Sequence, residues 1–531
     1  MGRAHHRAAG IVGLAVMGSR ILGLVREQVF AAMFGAGKLL DAFLAAFQIP
    51  NLLRDLLAEG ALSTAFTTIF TKTFEKDGEQ PAWKLTSLLL ATVVTLLGGG
   101  VVIGIIFSPL LVQLTSYGFH SVPGKFELTV ELTRMLFPFI LFVSLASVVM
   151  GVLNARSVFG IPASASTAFN FVSIISGVLL AYWLDPQADW RHPHFTARGL
   201  YGVSLGVLLG GVAQLAIQLP SLWRLGYKFR WQLDFHDEKL RAVGRLMLPS
   251  VIAGAAVQIN VMVNGMFASE IDGARSWLNC AFRLMQFPIG VFGVAVATVT
   301  LPAVARHHIR NDLASFGRTL DDSLRLVLFL TLPAAVGLFA LAPDIIGLIY
   351  QHGQFTAADT AFTAAALRAY AIGLAGYAAI KVMVPCFYAL NKPNLPLRIS
   401  LTAIGFNIAL NFFMIKVLKL GHVGLATTTS LLAIINFGQY FFHLRRLVPM
   451  DSWKIWWRTM WTISVAALGC GALAWLAAHS LPHLFPFMKV RFAALIAGLT
   501  AGCLGYGLIC LGLRIPETQF ALEFLRRKLK R

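Results

Sequence analysis

Long apolar runs alternate with short polar breaks from Ala8 to Leu513, and most approach the 20 or so residues that carry a helix across a bilayer. Fourteen spans are predicted, near 8–33, 39–70, 85–113, 127–153, 161–184, 199–223, 246–268, 276–305, 326–342, 357–390, 399–415, 422–444, 459–478 and 492–513. Proline or glycine interrupts the second, eighth and tenth. The pattern reads as an all-α polytopic membrane protein.

Composition agrees. Of 531 residues, 57% are hydrophobic and 13% charged, against about 25% charged in an ordinary soluble domain. The five cysteines are scattered through apolar spans, with neither a CxxC pair nor a Cys/His ligand spacing, so no disulfide or metal site is implied. The first apolar run is broken by Arg20 and Arg26 and has no convincing cleavage site, unlike a signal peptide.

Charge then orients the chain. Loops on the side of the N-terminus hold 28 lysines and arginines, and the opposite loops hold nine. By the positive-inside rule both termini are cytoplasmic. The net charge of +20 is mostly this topology signal, with some affinity for anionic lipid headgroups and no call for nucleic acid. Seven basic residues are left inside the spans: Arg20, Arg26, Arg54, Arg134, Arg283, Arg368 and Lys381. A charge at the centre of a span costs about 2.5–3.5 kcal/mol on insertion scales, so these residues face something wet or anionic. The acids are fewer: Glu27, Asp55 and Glu59, with Asp41 and Glu131 near span ends.

The chain also repeats itself. Gln48-Ile-Pro50 recurs as Gln286-Phe-Pro288, Arg134 as Arg368, and Asn154 and Asn170 as Asn391 and Asn407, at offsets of 234 to 238. Each copy holds six spans, so the copies share one orientation, as in transporters with parallel lobes. The expected organisation is a lobe over 1–223, a cytoplasmic amphipathic linker over 224–245, a second lobe over 246–446, and two further helices within 447–531. Two parallel six-helix lobes around a central cationic cavity would place the site near midplane, at the interrupted spans carrying Pro50 and Pro288.

Six of the seven cations are arginine, whose planar fork of donors suits phosphate or carboxylate and stays charged when desolvated. Some have local alternatives: Arg134 could meet Glu131 three residues away, Arg54 could reach Glu59 or Asp41, and Arg368 and Lys381 could act laterally or behind the site. Arg54 and Asp55, adjacent in sequence, point about 100° apart and are not expected to pair. Arg20, Arg26 and Arg283 have no local partner. Ser19, Gln48, Asn51, Ser63, Thr64, Asn154 and Asn170 could bind hydroxyls or amides, or equally form interhelical hydrogen bonds. His5-His6 and His307-His308 lack further ligands, and His192-Pro-His194 is a weak metal candidate in an external loop. No Walker motif, nucleophile elbow or carboxylate dyad is present, and no enzyme or cofactor is expected.

SRILGLVRE (Ser19–Glu27), FGAG (Phe34–Gly37), Asp41–Ala61, AFRLMQFP within Ala281–Pro302, VLNA (Val152–Ala155) and YQHGQF (Tyr350–Phe355) make the chain resemble the MurJ (MviN) family over essentially its whole length. That family belongs to the multidrug/oligosaccharidyl-lipid/polysaccharide exporter superfamily, built from two six-helix lobes. The resemblance implies flipping of lipid II, undecaprenyl-pyrophosphoryl-MurNAc-pentapeptide-GlcNAc, across the bacterial cytoplasmic membrane for cell-wall biogenesis. It implies that Arg20, Arg26 and Arg283 meet the pyrophosphate, that Asp41, Arg54 and Glu59 serve binding or gating, and that the last two spans hold the polyprenyl tail. The family pattern places carboxylates just before and three residues after the Arg283 position. Here Phe282 and Gln286 stand there, so a mechanism built on those pairs does not carry over.

Three readings follow. The first is a lipid II flippase working by alternating access, drawn outward by the membrane potential at about 2.3 kcal/mol per charge per 100 mV or by a coupling ion. The second is an exporter of another polyprenyl-pyrophosphate glycan; a drug-cation exporter would want acids where this chain has cations. The third is a scaffold of the cell-wall machinery with its arginines in structural pairs, which would tolerate Arg→Ala.

Overall fold

The structure is a computed structural model and describes residues 2–57, 62–188, 194–484 and 491–518; there it is helical, with no strand. Two compact units emerge from the packing, one of residues 1–276 together with Gly353–Phe355, the other of the remainder.

In the first unit run α1 (Gly2–Phe34), α2 (Lys38–Leu57), α3 (Ser63–Asp77), α4 (Glu79–Ile106), α5 (Ser108–Ser116), α6 (Lys125–Leu136), α7 (Phe139–Ala155), α8 (Gly160–Leu184), α9 (Ala197–Ala216), α10 (Leu219–Arg224) and α11 (Glu238–Ala268). The second holds α12 (Ala274–Pro288), whose first residues belong to the first unit, then α13 (Val294–Ile309), α14 (Leu313–Ala340), α15 (Ala342–Ile349), α16 (Ala357–Ala389), α17 (Asn394–Phe412), α18 (Gly421–Leu447), α19 (Trp453–Leu484) and α20 (Arg491–Gly512).

Every predicted span coincides with a helix or a helix pair. Among the described residues, ten are long and apolar enough to cross a membrane, eleven if the bent α11 is one span. The other three are α1, α2 and α18. Of the predicted interruptions, the second span breaks between α2 and α3, and the eighth passes through a π-helical turn, Ile289–Gly293, after Pro288. The tenth is unbroken: α16 runs from Ala357 to Ala389 with Pro385 inside it.

The repeat is visible in the helix order, because α4-α5-α6/α7 is matched by α14-α15-α16 and α8-α9 by α17-α18. Equivalent arginines make equivalent bonds: Arg134 donates Nε to Ser108 Oγ at 3.0 Å, and Arg368 donates Nε to the Phe339 carbonyl at 3.2 Å. Arg134 ties α6 to the first residue of α5, and Arg368 ties α16 to the last turn of α14. The pairing of Arg134 with Glu131 anticipated from their spacing does not form; Glu131 accepts from the Tyr201 hydroxyl instead.

The first compact unit extends beyond the 224–245 linker, because α11 packs on α2, α3 and α5. The linker is amphipathic with a period of two. Residues 227–234 are non-helical, and exposed Phe229, Trp231, Leu233 and Phe235 alternate with Lys228, Arg230 and Gln232. Within the unit, α8 and α9 touch closely. A Cβ on Gly206 would stand 2.4 Å from the backbone of Gly177, and one on Gly202 would stand 2.3 Å from that of Ala181. Small residues therefore set this contact. A core of Phe66, Phe70, Trp83, Leu85, Val148, Val152 and Tyr227 fixes α3 against α4 and α7. Tyr227 closes it with a 3.0 Å hydrogen bond between its hydroxyl and Ser87, and burial pushes its phenol up to about 12.

Candidate functional site

Three groups of polar side chains stand out in the first unit, and the stripe along α2 is the most tightly bonded. Asp41, Gln48 and Asp55 recur every seven residues, which is nearly two turns, so they share one face of the helix. Asp41 is fully buried. It accepts from Lys125 Nζ at 2.8 Å, Gly273 N at 2.8 Å, Ser276 N at 2.9 Å and Ser276 Oγ at 2.6 Å. Lys125, equally buried, donates also to Asp272 at 2.7 Å and lies 4.3 Å from the Phe119 ring centroid. One turn pair below, Gln48 accepts from Arg275 Nη1 at 2.6 Å and donates to the Val261 carbonyl at 3.4 Å. Nη2 of buried Arg275 donates to the carbonyls of Thr115 and Gly265 and the hydroxyl of Ser116 at 2.6–2.8 Å. Asp55 accepts from Gln258 of α11 at 3.5 Å.

Asp41 and Gln48 were expected to face or support a substrate. Their oxygens are instead occupied by protein donors, which makes this stripe the seam joining α2 to α6, α11 and the 272–276 segment. The span boundaries predicted from hydropathy, starting at 127 and 276, leave Lys125 and Arg275 in short connections, where basic residues normally mean solvent; in the structure both lie in the first turn of a helix. The heptad of polar residues along α2 was the available signal.

The second group is cationic. Arg20 is exposed on α1 and has no hydrogen bond or ion pair among the described residues. Asn170 of α8 donates to the carbonyl of its neighbour Ser19 at 3.1 Å, fixing this turn of α1 against α8. Arg26 is buried, its guanidinium 5.1 Å from the ring centroid of Phe169 and 5.8 Å from that of Phe47. Arg54 is half-buried and does pair with Asp55, at 2.9 Å through Nη2 and 3.2 Å through Nε. Neighbouring Cα–Cβ bonds diverge by about 100°, but the three-methylene stem of arginine reaches round the helix. Asn51 is half-buried one turn from Gln48. Glu59 and His192 lie outside the described residues, and no cluster of metal-ligating side chains occurs among the described ones.

In the second unit, Arg283 is exposed on α12 while its neighbour Phe282 packs edge-on against Tyr370, centroids 5.4 Å apart. Gln286 and Lys381 are exposed, and Arg368 is held at Phe339.

The third group lines a cavity of about 830 Å³ beside α3, walled by hydroxyls of that helix, by Asn154 at the end of α7, and by Lys72, Glu75 and Lys76.

The profile of the family described as "Lipid II flippase MurJ" matches residues 30–494. A relative from Vibrio cholerae serotype O1, "Probable lipid II flippase MurJ", is 32% identical over 97% of each chain. One from Burkholderia cenocepacia, "Lipid II flippase MurJ", is also 32% identical, over 86% of this chain and 87% of its own. Among solved structures, "Lipid II flippase MurJ, inward closed conformation" superimposes with a TM-score of 0.78 at 26% identity, covering 95% of this chain and 98% of the other. An inward-facing multidrug resistance MATE transporter of the MOP superfamily shares the fold, with a TM-score of 0.61 at 14% identity over 82% of this chain and 94% of the other.

Proposed function

The chain belongs to the MurJ lipid II flippase family, and from that premise we propose that Arg20, Arg26 and Arg283 supply the guanidinium groups that meet the pyrophosphate of lipid II during transport. The protein is a multi-pass protein of the bacterial inner membrane that moves lipid II across it. The observation carrying the residue assignment is the exposure of Arg20 and Arg283 on apolar helices, together with the seating of Arg26 between two aromatic rings. A charge within a membrane helix is costly wherever it sits, so arginines at such positions are by default functional.

On this reading both termini are cytoplasmic, the lipid is taken from the inner leaflet, and alternating access releases it outside without a catalytic step. Arg54 supports the site through its pair with Asp55. The last two helices, α19 and α20, accommodate the polyprenyl tail. Export of a diphosphate from a cell with a negative interior is downhill, so the membrane potential suffices as a driving force without a bound cofactor. Cell-wall synthesis enzymes are the natural consumers on the outer face.

The test is complementation of a bacterium depleted of its lipid II flippase, paired with flipping in proteoliposomes under an imposed potential. Wild type should rescue growth. Arg20→Ala, Arg26→Ala and Arg283→Ala should insert but fail to rescue, with transport slowed at least about tenfold, as expected for one lost charge-assisted contact to phosphate. Dissipating the potential should slow the wild type. Rescue by all three alanine variants would overturn the assignment and favour structural arginines.

A further inference from the structure

One face of α3 is polar where a membrane helix would ordinarily be apolar. Thr64, Thr67, Thr68 and Thr71 fall within an arc of about 100° on the helical wheel. The opposite side buries Ala65, Phe66 and Phe70 in the core with α4 and α7. Thr64 and Thr68 are exposed and Thr67 and Thr71 half-buried, so the face is turned outward into the 830 Å³ cavity. Thr67 donates its hydroxyl to the carbonyls of Ser63 and Gly151 at 2.7 and 3.3 Å, and Thr68 donates to that of Thr64 at 2.9 Å. With their protons committed to the backbone, these oxygens offer lone pairs to a ligand N–H. Asn154 adds an amide at the rim. Lys72 and Lys76 stand exposed at the far end, with Glu75 between them, leaving a net positive charge.

A row of acceptors ending in two ammonium groups fits an extended chain of amides that ends in carboxylate. We propose that this trough is a subsite for the peptide of the lipid II headgroup: the threonine hydroxyls accept from its amide N–H groups, and Lys72 and Lys76 bind its carboxylates. The proposal rests on the flippase reading, and it assigns substrate selectivity to α3 separately from the pyrophosphate-binding arginines. The volume is of the size that holds a short peptide or a drug-sized molecule.

The experiment is flipping in proteoliposomes with two lipids: intact lipid II, and lipid II from which an amidase has removed the peptide, leaving the disaccharide pyrophosphate lipid. The readout is the ratio of their half-saturating concentrations. Wild type should prefer intact lipid II by about tenfold, the sum of two exposed charge pairs. Lys72→Gln/Lys76→Gln should bring the ratio near one, and Lys72→Arg/Lys76→Arg should restore it. Wild type moving both lipids with equal half-saturation, or the glutamine variant keeping the preference, would refute the subsite alone. Wild type moving neither lipid would refute the flippase reading, and the subsite with it.

Discussion

If Asp41 belongs to the seam of α2, its loss must act first on stability and through Lys125. Asp41→Asn keeps the shape but turns an amide toward Lys125 Nζ and Gly273 N, which both donate, 2.8 Å away. Lys125 is then a fully buried ammonium whose one charged neighbour is Asp272, a side chain half open to solvent. Breaking a buried pair on one side costs about 3–5 kcal/mol. Lys125→Met leaves the carboxylate with two backbone N–H groups and the Ser276 hydroxyl, which stabilise its charge, so about 2–3 kcal/mol is expected. The double variant carries no unpaired buried charge and should lose about 2–4 kcal/mol, less than the sum of the singles by about 3 kcal/mol. The assay is reversible unfolding in mixed micelles followed by tryptophan fluorescence, run alongside flipping in proteoliposomes. A structural seam predicts that the double variant transports better than Asp41→Asn. Additive stability changes, or an Asp41→Asn protein of full stability that does not transport, would refute the seam and return Asp41 to the substrate.

Two further outcomes are expected. Gly206→Val places a branched side chain where even a Cβ would approach the Gly177 backbone to 2.4 Å, so α8 and α9 must separate; thermal unfolding should shift down by several degrees, with Gly206→Ala intermediate, and an unshifted valine variant would show the contact to be loose. On the surface, the hydrogen bond from Lys239 holds the Asp77 carboxyl below its ordinary value of 3.8, so the pair stabilises above that pH and its contribution is lost as pH falls through the lowered pKa. The stability gap between wild type and Lys239→Met should be largest near neutral pH and low salt, and vanish in acid; a gap unchanged by acid would mean that Lys239 acts through packing.

Much of the fold was legible because bilayer thickness imposes a length on each apolar run. Even α1 and α2, charged as they are, are helices where the pattern predicts them, and the Arg134/Arg368 equivalence is visible as an offset. What the sequence hid were contacts made at long range. Lys125 meets partners 84 and 147 residues away, and nothing in its own surroundings distinguishes it from a solvated loop lysine. The extended, two-residue period of the linker was read as amphipathic without its backbone, since both periods separate Phe229 from Lys228. The polar face of α3 was half visible: Ser63 and Thr64 were picked out, but the predicted span ended at residue 70. A span ending at 70 leaves Thr71, Lys72 and Lys76 in a loop, whereas the helix continues to Asp77.

The buried cations sort by what already holds them. Lys125 and Arg275 are locked by fixed oxygens of the protein, and offering either to a phosphate would first break contacts worth several kcal/mol. A carrier that must bind and then release gains nothing from such groups. Arg26 is different in kind. Aromatic rings engage the face of a guanidinium, whereas a phosphate engages the N–H groups along its edge. Phe169 and Phe47 can therefore keep Arg26 charged and oriented inside an apolar helix without occupying the N–H edge of the guanidinium. This is also why lysine would be a poor replacement there. An ammonium has no such division between face and edge, and each hydrogen bond it gives to a phosphate must be taken from its solvation by something else.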